Sequence, residues 1–317
     1  MKITYVIALA SAILFVAEAA HADDCTLKRL ASLPMSAEHP NDVVVDGKIG
    51  DRTVHFLVDT GGVYTEIKSD IVDALHLKTY PLENGMELFH IQGAGGTRYT
   101  VADDVHIGDL KIGRVPMLLL NMQMPDGIDG ILAPDVLARF DLDLDFGART
   151  LNLIAPDHCP GKVVYWAQAY AVTDFSTEGA HIEVPVTVDG RSLAAIVDTG
   201  ATLTSIDDVT AGNEFGVHED SPGAELPPHP DGPLQFRYRF KSLTMGGVTV
   251  ANPAIAVFHN SGQDAYHNEY GWISANDPVY GDHMKREMLL GADLLGKLHI
   301  FICYKEKKLY ITGAGAH

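Results

Sequence analysis

One short unit occurs twice in this chain of 317 residues, and the duplication restricts the possible folds more than any composition figure. Phe56-Leu57-Val58-Asp59-Thr60-Gly61-Gly62 is matched by Ala195-Ile196-Val197-Asp198-Thr199-Gly200-Ala201, each an apolar run ending in Asp-Thr-Gly. A strand-and-turn pattern precedes each copy, from Val43 to Gly50 and from Ile182 to Gly190. The ends of the units also correspond. Gly130-Ile131-Leu132-Ala133-Pro134-Asp135-Val136-Leu137 aligns with Met288-Leu289-Leu290-Gly291-Ala292-Asp293-Leu294-Leu295. A helix-like segment and a strand pair follow in both, Phe140 to Phe146 with Thr150 to Ile154, then Leu298 to Tyr304 with Lys308 to Thr312. Turns at Gly108 and Gly246 lie between. Short strands, frequent glycine turns and one small helix per half predict a mainly β fold.

The boundary between halves falls where Pro, Gly and Cys cluster, between Asp157 and Lys162, giving halves of 23–157 and 158–317. The Pro-, Asp- and Gly-rich stretch from Glu219 to Pro233 reads as a surface loop inserted in the second half.

An Asp-Thr-Gly tripeptide alone is ordinary turn chemistry. Here both copies close a fully apolar strand, which delivers a carboxylate into a covered place where a lone charge is costly. Two such carboxylates at matching points of a duplicated unit point to a shared site, with Asp59 and Asp198 as its candidate catalytic pair.

These boxes and closing segments resemble the pepsin/retropepsin-type aspartic peptidases, above all bacterial retropepsin-like aspartyl proteases with two halves fused in one chain. The resemblance covers almost the whole chain after residue 22. It implies a two-lobed acid protease fold with pseudo-twofold symmetry, peptide or protein substrates, no cofactor and a functional monomer. It implies that Asp59 and Asp198 share one proton, because two adjacent carboxylates cannot both ionise easily. Thr60 and Thr199 match threonines that brace the dyad, and Gly61 and Gly200 match positions of close backbone approach. Gly93, Ala94, Gly95, Gly96 and Tyr99 fall in the candidate flap over the substrate. Three features depart from the family pattern: Ala133 where Gly is usual, Gly62 after the first box, and no evident second flap, which fits a pepsin-like asymmetry. Neither Gly62 nor Ala201 carries a hydroxyl to hydrogen-bond a dyad carboxylate, so the dyad is expected to titrate higher than a hydroxyl-bearing site and to work towards neutral pH.

The remaining features set the compartment and exclude rivals. Lys2, the apolar run from Thr4 to Ala17 and Ala20-His21-Ala22 fit a signal peptide over residues 1–22. Export to a periplasm or beyond is expected, with no membrane span after cleavage. Of the three cysteines, Cys25 and Cys159 are candidates for a disulfide stapling the N-terminal tail to the end of the first half, and Cys303 sits in a strand-like run as a buried thiol. A net charge of −19 repels phosphate backbones, so nucleic acid is not an expected partner. His259, His267, Glu269, Asp282 and His283 share one stretch without a compact metal-binding spacing, and no metal site is expected. There is no Gly-x-Ser-x-Gly elbow for a serine hydrolase. The remaining alternative is a pseudo-peptidase that binds peptides without cutting them. Loss of one Asp would mark it, and both are present.

Overall fold

The computed structural model describes residues 26–82, 89–90, 93–94, 97–120, 123–177, 181–227, 234–259 and 288–316. The expected leader therefore lies outside the described residues, as does Cys25. Among the described residues no helix is long and apolar enough to cross a membrane.

A strand with consecutive apolar residues needs both faces covered. Phe56, Leu57 and Val58 meet that need: the strand Arg52–Val58 lies inside a seven-stranded sheet, between Val44–Ile49 and Gly130–Leu132, and all three side chains are buried. Its counterpart Arg191–Val197 lies inside an eight-stranded sheet, between Glu183–Val188 and Met288–Leu290. The registers repeat. Leu132 pairs in parallel with Val58, as Leu290 does with Val197. The hairpin entering the second copy turns through Asp189 and Gly190, both at positive φ (45° and 84°). That is the geometry of a two-residue turn matched to strand twist.

The third sheet joins the halves. Its six strands run Arg29–Pro34, Thr150–Ile154, Asp141–Asp145, Leu298–Cys303, Lys308–Gly313 and Ala171–Asp174. At its centre, strands from the two halves meet, with Leu142 opposite Ile302. The result is a mainly β, two-lobed fold with pseudo-twofold symmetry. Each fully buried large apolar side chain, such as Phe56, Phe236 or Phe301, contributes about 1.5–3 kcal/mol to holding it.

Among the described residues each half carries two short helices, where one was expected. Pro134–Leu137 and Ala292–Leu295 follow the closing strands, and Ser69–Ala74 and Asp208–Phe215 are additional. Local chemistry accounts for the last: the Asp207 side chain accepts from the Thr210 amide, and Gly216 ends the helix in the left-handed conformation.

The stretch from Glu219 to Pro233 is more than a loop. Residues 228–233 lie outside the described residues, but Glu225 bridges to Arg237 through two backbone hydrogen bonds of 2.8 Å. In the first half, Tyr80 pairs with Tyr99 in the corresponding place. Register confirms the match. Tyr99 opposes Leu118, which opposes Glu66; Arg237 opposes Ala256, which opposes Ser205. Both halves thus carry an antiparallel pairing here, three paired positions in the first half and a single bridge in the second. Sequence pattern gave no sign of this second pairing, because the stretch is rich in prolines and acidic residues and lacks the clustered glycines of the first half.

Candidate active site

Both candidate aspartates leave the end of their apolar strands in the same way. The Asp59 amide donates to the Leu132 carbonyl (2.9 Å) and the Asp198 amide to that of Leu290 (3.0 Å). Each Oδ1 then accepts two backbone amides from its own loop. Gly61 and Gly62 donate to Asp59 at 2.9 and 2.8 Å, and Gly200 and Ala201 donate to Asp198 at 2.9 Å each.

The two loops face one another across the lobe boundary. A Cβ placed on Gly61 would lie 2.3 Å from Asp198 Cγ, and one on Gly200 would lie 2.5 Å from Asp59 Cγ. Only glycine leaves room for the opposite carboxylate at either position. The carboxyls hydrogen-bond each other. Burial, then the charge of Asp198 and the shared hydrogen bond, push Asp59 well above the usual carboxylate range, against the pull of the Gly62 and Gly61 amides.

Thr60 and Thr199, buried beneath the pair, tie the lobes together. Thr60 Oγ1 donates to the Val197 carbonyl and Thr199 Oγ1 to that of Val58, both at 2.6 Å. Each hydroxyl also accepts the other threonine's amide at 3.1 Å. Each hydroxyl thus spends its donor and one acceptor position across the interface.

A second pair of braces was not anticipated. Thr65 donates to Asp135 Oδ1 through its hydroxyl (2.7 Å) and amide (3.0 Å), and its Oγ1 accepts the Ala133 amide (3.2 Å). Thr204 repeats this with Asp293 (both 2.7 Å) and the Gly291 amide (3.1 Å). These bonds lock each catalytic loop to its closing segment. The signal was present in the duplication: a Thr stands six residues after each catalytic Asp, and an Asp two residues after Ala133 and Gly291.

The candidate flap residues are partly described. Gly93–Ala94 pairs antiparallel with Phe89–His90, and half-buried Tyr99 packs its ring 5.5 Å from that of Tyr80. Gly95 and Gly96 lie outside the described residues.

Cys159 is half of a disulfide, whereas Cys303 is free and buried. Of the histidine-rich stretch only His259 is described, and it bonds Asp208 at 2.9 Å. A different cluster lies under the linker between lobes. Buried Asp141, His158 and Cys303 bring their donor atoms within 4.8 Å of one another, a grouping able to hold a metal ion. In this arrangement the three satisfy one another: His158 Nε2 is 2.5 Å and Cys303 Sγ 3.5 Å from Asp141 Oδ2, and Asp141 Oδ1 accepts the Tyr304 amide. Beside them His299 bonds buried Asp143 at 2.6 Å, with Trp166 of the linker stacked on it at 3.9 Å. The polar cluster therefore fastens the linker to the central sheet.

Fold and site together define a two-lobed, pepsin-like aspartic proteinase architecture. Residues 45–136 and 184–294 match the family model described as "Aspartyl protease". The chain belongs to that aspartyl protease family. The fold is similar to the crystal structure of an aspartic proteinase from Irpex lacteus, with a TM-score of 0.55 and 16% identity, covering 90% of this chain and 97% of that one. No curated protein matches the chain.

Proposed function

We propose that the protein is an aspartic endopeptidase in which Asp59 and Asp198 activate one water molecule between them. The observation that carries this reading is the reciprocal approach of the loops: each box glycine leaves room for the other half's carboxylate. Burial and mutual charge favour a state with one proton on the pair. The ionised member takes a proton from water as its oxygen attacks the scissile carbonyl carbon. The protonated member gives its proton to the carbonyl oxygen. Collapse of the tetrahedral species breaks the C–N bond as a proton passes to the leaving nitrogen. The dyad titrates as a unit, so the two roles belong to the pair.

Export fits this reading, with residues 1–22 as a cleaved leader and the disulfide at Cys159 suited to an oxidising compartment. The test is cleavage of a diverse peptide library across pH by the wild type, Asp59→Asn and Asp198→Asn. Loss of cleavage in both variants is expected. Cleavage that survives both substitutions refutes the dyad, and binding without cleavage by the wild type makes the protein a pseudo-peptidase.

A further inference from the structure

A cavity of about 440 Å³ lies beside the second catalytic loop, lined in part by Asp42, Arg149, Thr202, Arg237, Asp293 and Lys297. Its lining adjoins the segments that hold the dyad. Thr202 follows Ala201, whose amide holds Asp198, and the Thr202 carbonyl accepts the Asp293 amide at 3.1 Å. Across the lobe boundary, Thr202 Oγ1 lies 3.4 Å from Asp42 Oδ1. Asp42 precedes Val43, whose carbonyl accepts the amide of Val58, the residue before Asp59.

Three cations line this cavity in a chain of net charge −19. Arg149 spends its two Nη groups on the uncharged carbonyls of Ser36, His39 and Pro40, so no carboxylate offsets it there. Arg237 is partly exposed, and its Nε has no hydrogen-bond partner. Its nearest carboxylate oxygen, Asp293 Oδ2, is 3.8 Å from Nη2, beyond hydrogen-bond reach. The other oxygen of Asp293 is held by Thr204. Exposed Lys297 has no ion pair among the described residues. The guanidinium fork of Arg237 thus lacks the planar, two-oxygen partner that it suits best.

Symmetry supplies a second, independent observation. Arg237 occupies the register position that Tyr99 holds at the base of the first hairpin. The first half presents an aromatic ring there, and the second presents a cation.

We propose that this cavity is a specificity subsite for a carboxylate of the peptide, recognised by Arg237 and Lys297. The inference rests on the peptidase reading and adds a substrate class: peptides bearing an acidic group to one side of the scissile bond.

The test uses C-terminally amidated peptides that carry Glu or Gln at each position in turn, and neutral peptides with free or amidated C-termini. At one position Glu is favoured over Gln in kcat/KM by about tenfold, mainly through KM, as a charge-assisted hydrogen bond would give. An advantage confined to free C-termini identifies the terminal carboxylate as the ligand instead of a side chain. The Glu/Gln ratio falls towards one in Arg237→Gln and is reduced in Lys297→Gln, whose exposed position keeps the test valid if the first variant fails to fold. Binding of the same peptides to Asp59→Asn, read by fluorescence anisotropy, separates the two claims. A retained Glu preference in binding with no cleavage by the wild type would overturn the peptidase reading and leave the subsite standing. Equal cleavage of Glu and Gln peptides at every position, with no effect of the free C-terminus, would overturn the subsite alone.

Discussion

The threonine braces give the most quantitative test of how the lobes are held. Thr60→Val keeps the shape of the side chain and removes its hydroxyl. Two cross-lobe bonds go with it: Thr60 Oγ1 to the Val197 carbonyl at 2.6 Å, and the Thr199 amide to Thr60 Oγ1 at 3.1 Å. Both threonines are at most 1% exposed, so water does not replace the lost partner. Leaving a buried group unsatisfied costs about 1–3 kcal/mol, so two such groups cost about 2–6 kcal/mol. That is a large share of the roughly 5–15 kcal/mol that holds an ordinary domain folded. Thr199→Val removes the mirror-image pair, at the same distances, and no bond is common to the two sets. The two variants are therefore expected to lose equal stability, and the double variant about the sum. Denaturant unfolding, followed by tryptophan fluorescence, measures all three against the wild type. A loss under about 1 kcal/mol in either single variant, or clearly unequal losses, would refute the reasoning.

Other consequences are open to equally direct measurement. Asp59 is held above the usual carboxylate range, so its stabilising contribution is complete below the unfolded value of about 3.9 and is lost as pH rises through the folded value. Neutral Asn does not undergo that loss: the Tm of Asp59→Asn minus that of the wild type should grow between pH 4 and pH 7, and a flat or falling difference counts against a raised carboxyl. The pH–rate profile of the wild type should extend towards neutrality, because neither Gly62 nor Ala201 offers a hydroxyl to the ionised dyad; a single strongly acidic optimum would contradict this. Asp293→Ala leaves the Thr204 amide and hydroxyl without their acceptor and should cost about 2–5 kcal/mol in denaturant unfolding, with Asp135→Ala close to it because the bonds repeat. Gly291→Ala forces a methyl to within 2.4–2.7 Å of the backbone at Leu203 and Thr204 and should cost about 1–3 kcal/mol or more, seen as a lowered unfolding midpoint.

The fold was legible because its strongest constraint is written twice. A fully apolar strand ending in Asp-Thr-Gly, met by a second apolar strand one half later, leaves few arrangements that cover both faces, and the parallel registers of Leu132 with Val58 and Leu290 with Val197 are the outcome. What sequence could not give was interaction at a distance. Asp141 and Asp143 alternate with Leu142 and Leu144 in a strand, and alternation ordinarily places the acids in solvent. Both are instead fully buried, because the linker covers that face and supplies His158 and Tyr165, while the neighbouring strand supplies His299. The partners are 17, 22 and 156 residues away along the chain, beyond the reach of any local pattern.

The two departures around the first box show how separate irregularities in a sequence can be one feature in space. Read singly, Gly62 is an odd residue after Asp-Thr-Gly and Ala133 an odd one in the closing segment. A Cβ added at Gly62 would lie 3.5 Å from the Ala133 Cβ and 2.9 Å from Asp59 Oδ2, so the two positions touch beside the same carboxylate. The second half carries Ala201 and Gly291 at these places, with its methyl at the other position of the pair. Each half therefore places one methyl, not two, between its catalytic loop and its closing segment. In the second half the methyl cannot stand at Gly291, because the backbone of Leu203 and Thr204 fills that space. In the first, Ala133 is accommodated with no exposure, and the residue facing it across the loop is reduced to glycine. Ala133 is fully buried whereas Ala201 is partly exposed, so the methyl beside Asp59 is shielded from solvent more completely than the one beside Asp198. The pair is thus symmetric in its backbone and hydroxyl bonds and asymmetric in its apolar shielding, a difference that gives two identical carboxyl groups distinct surroundings.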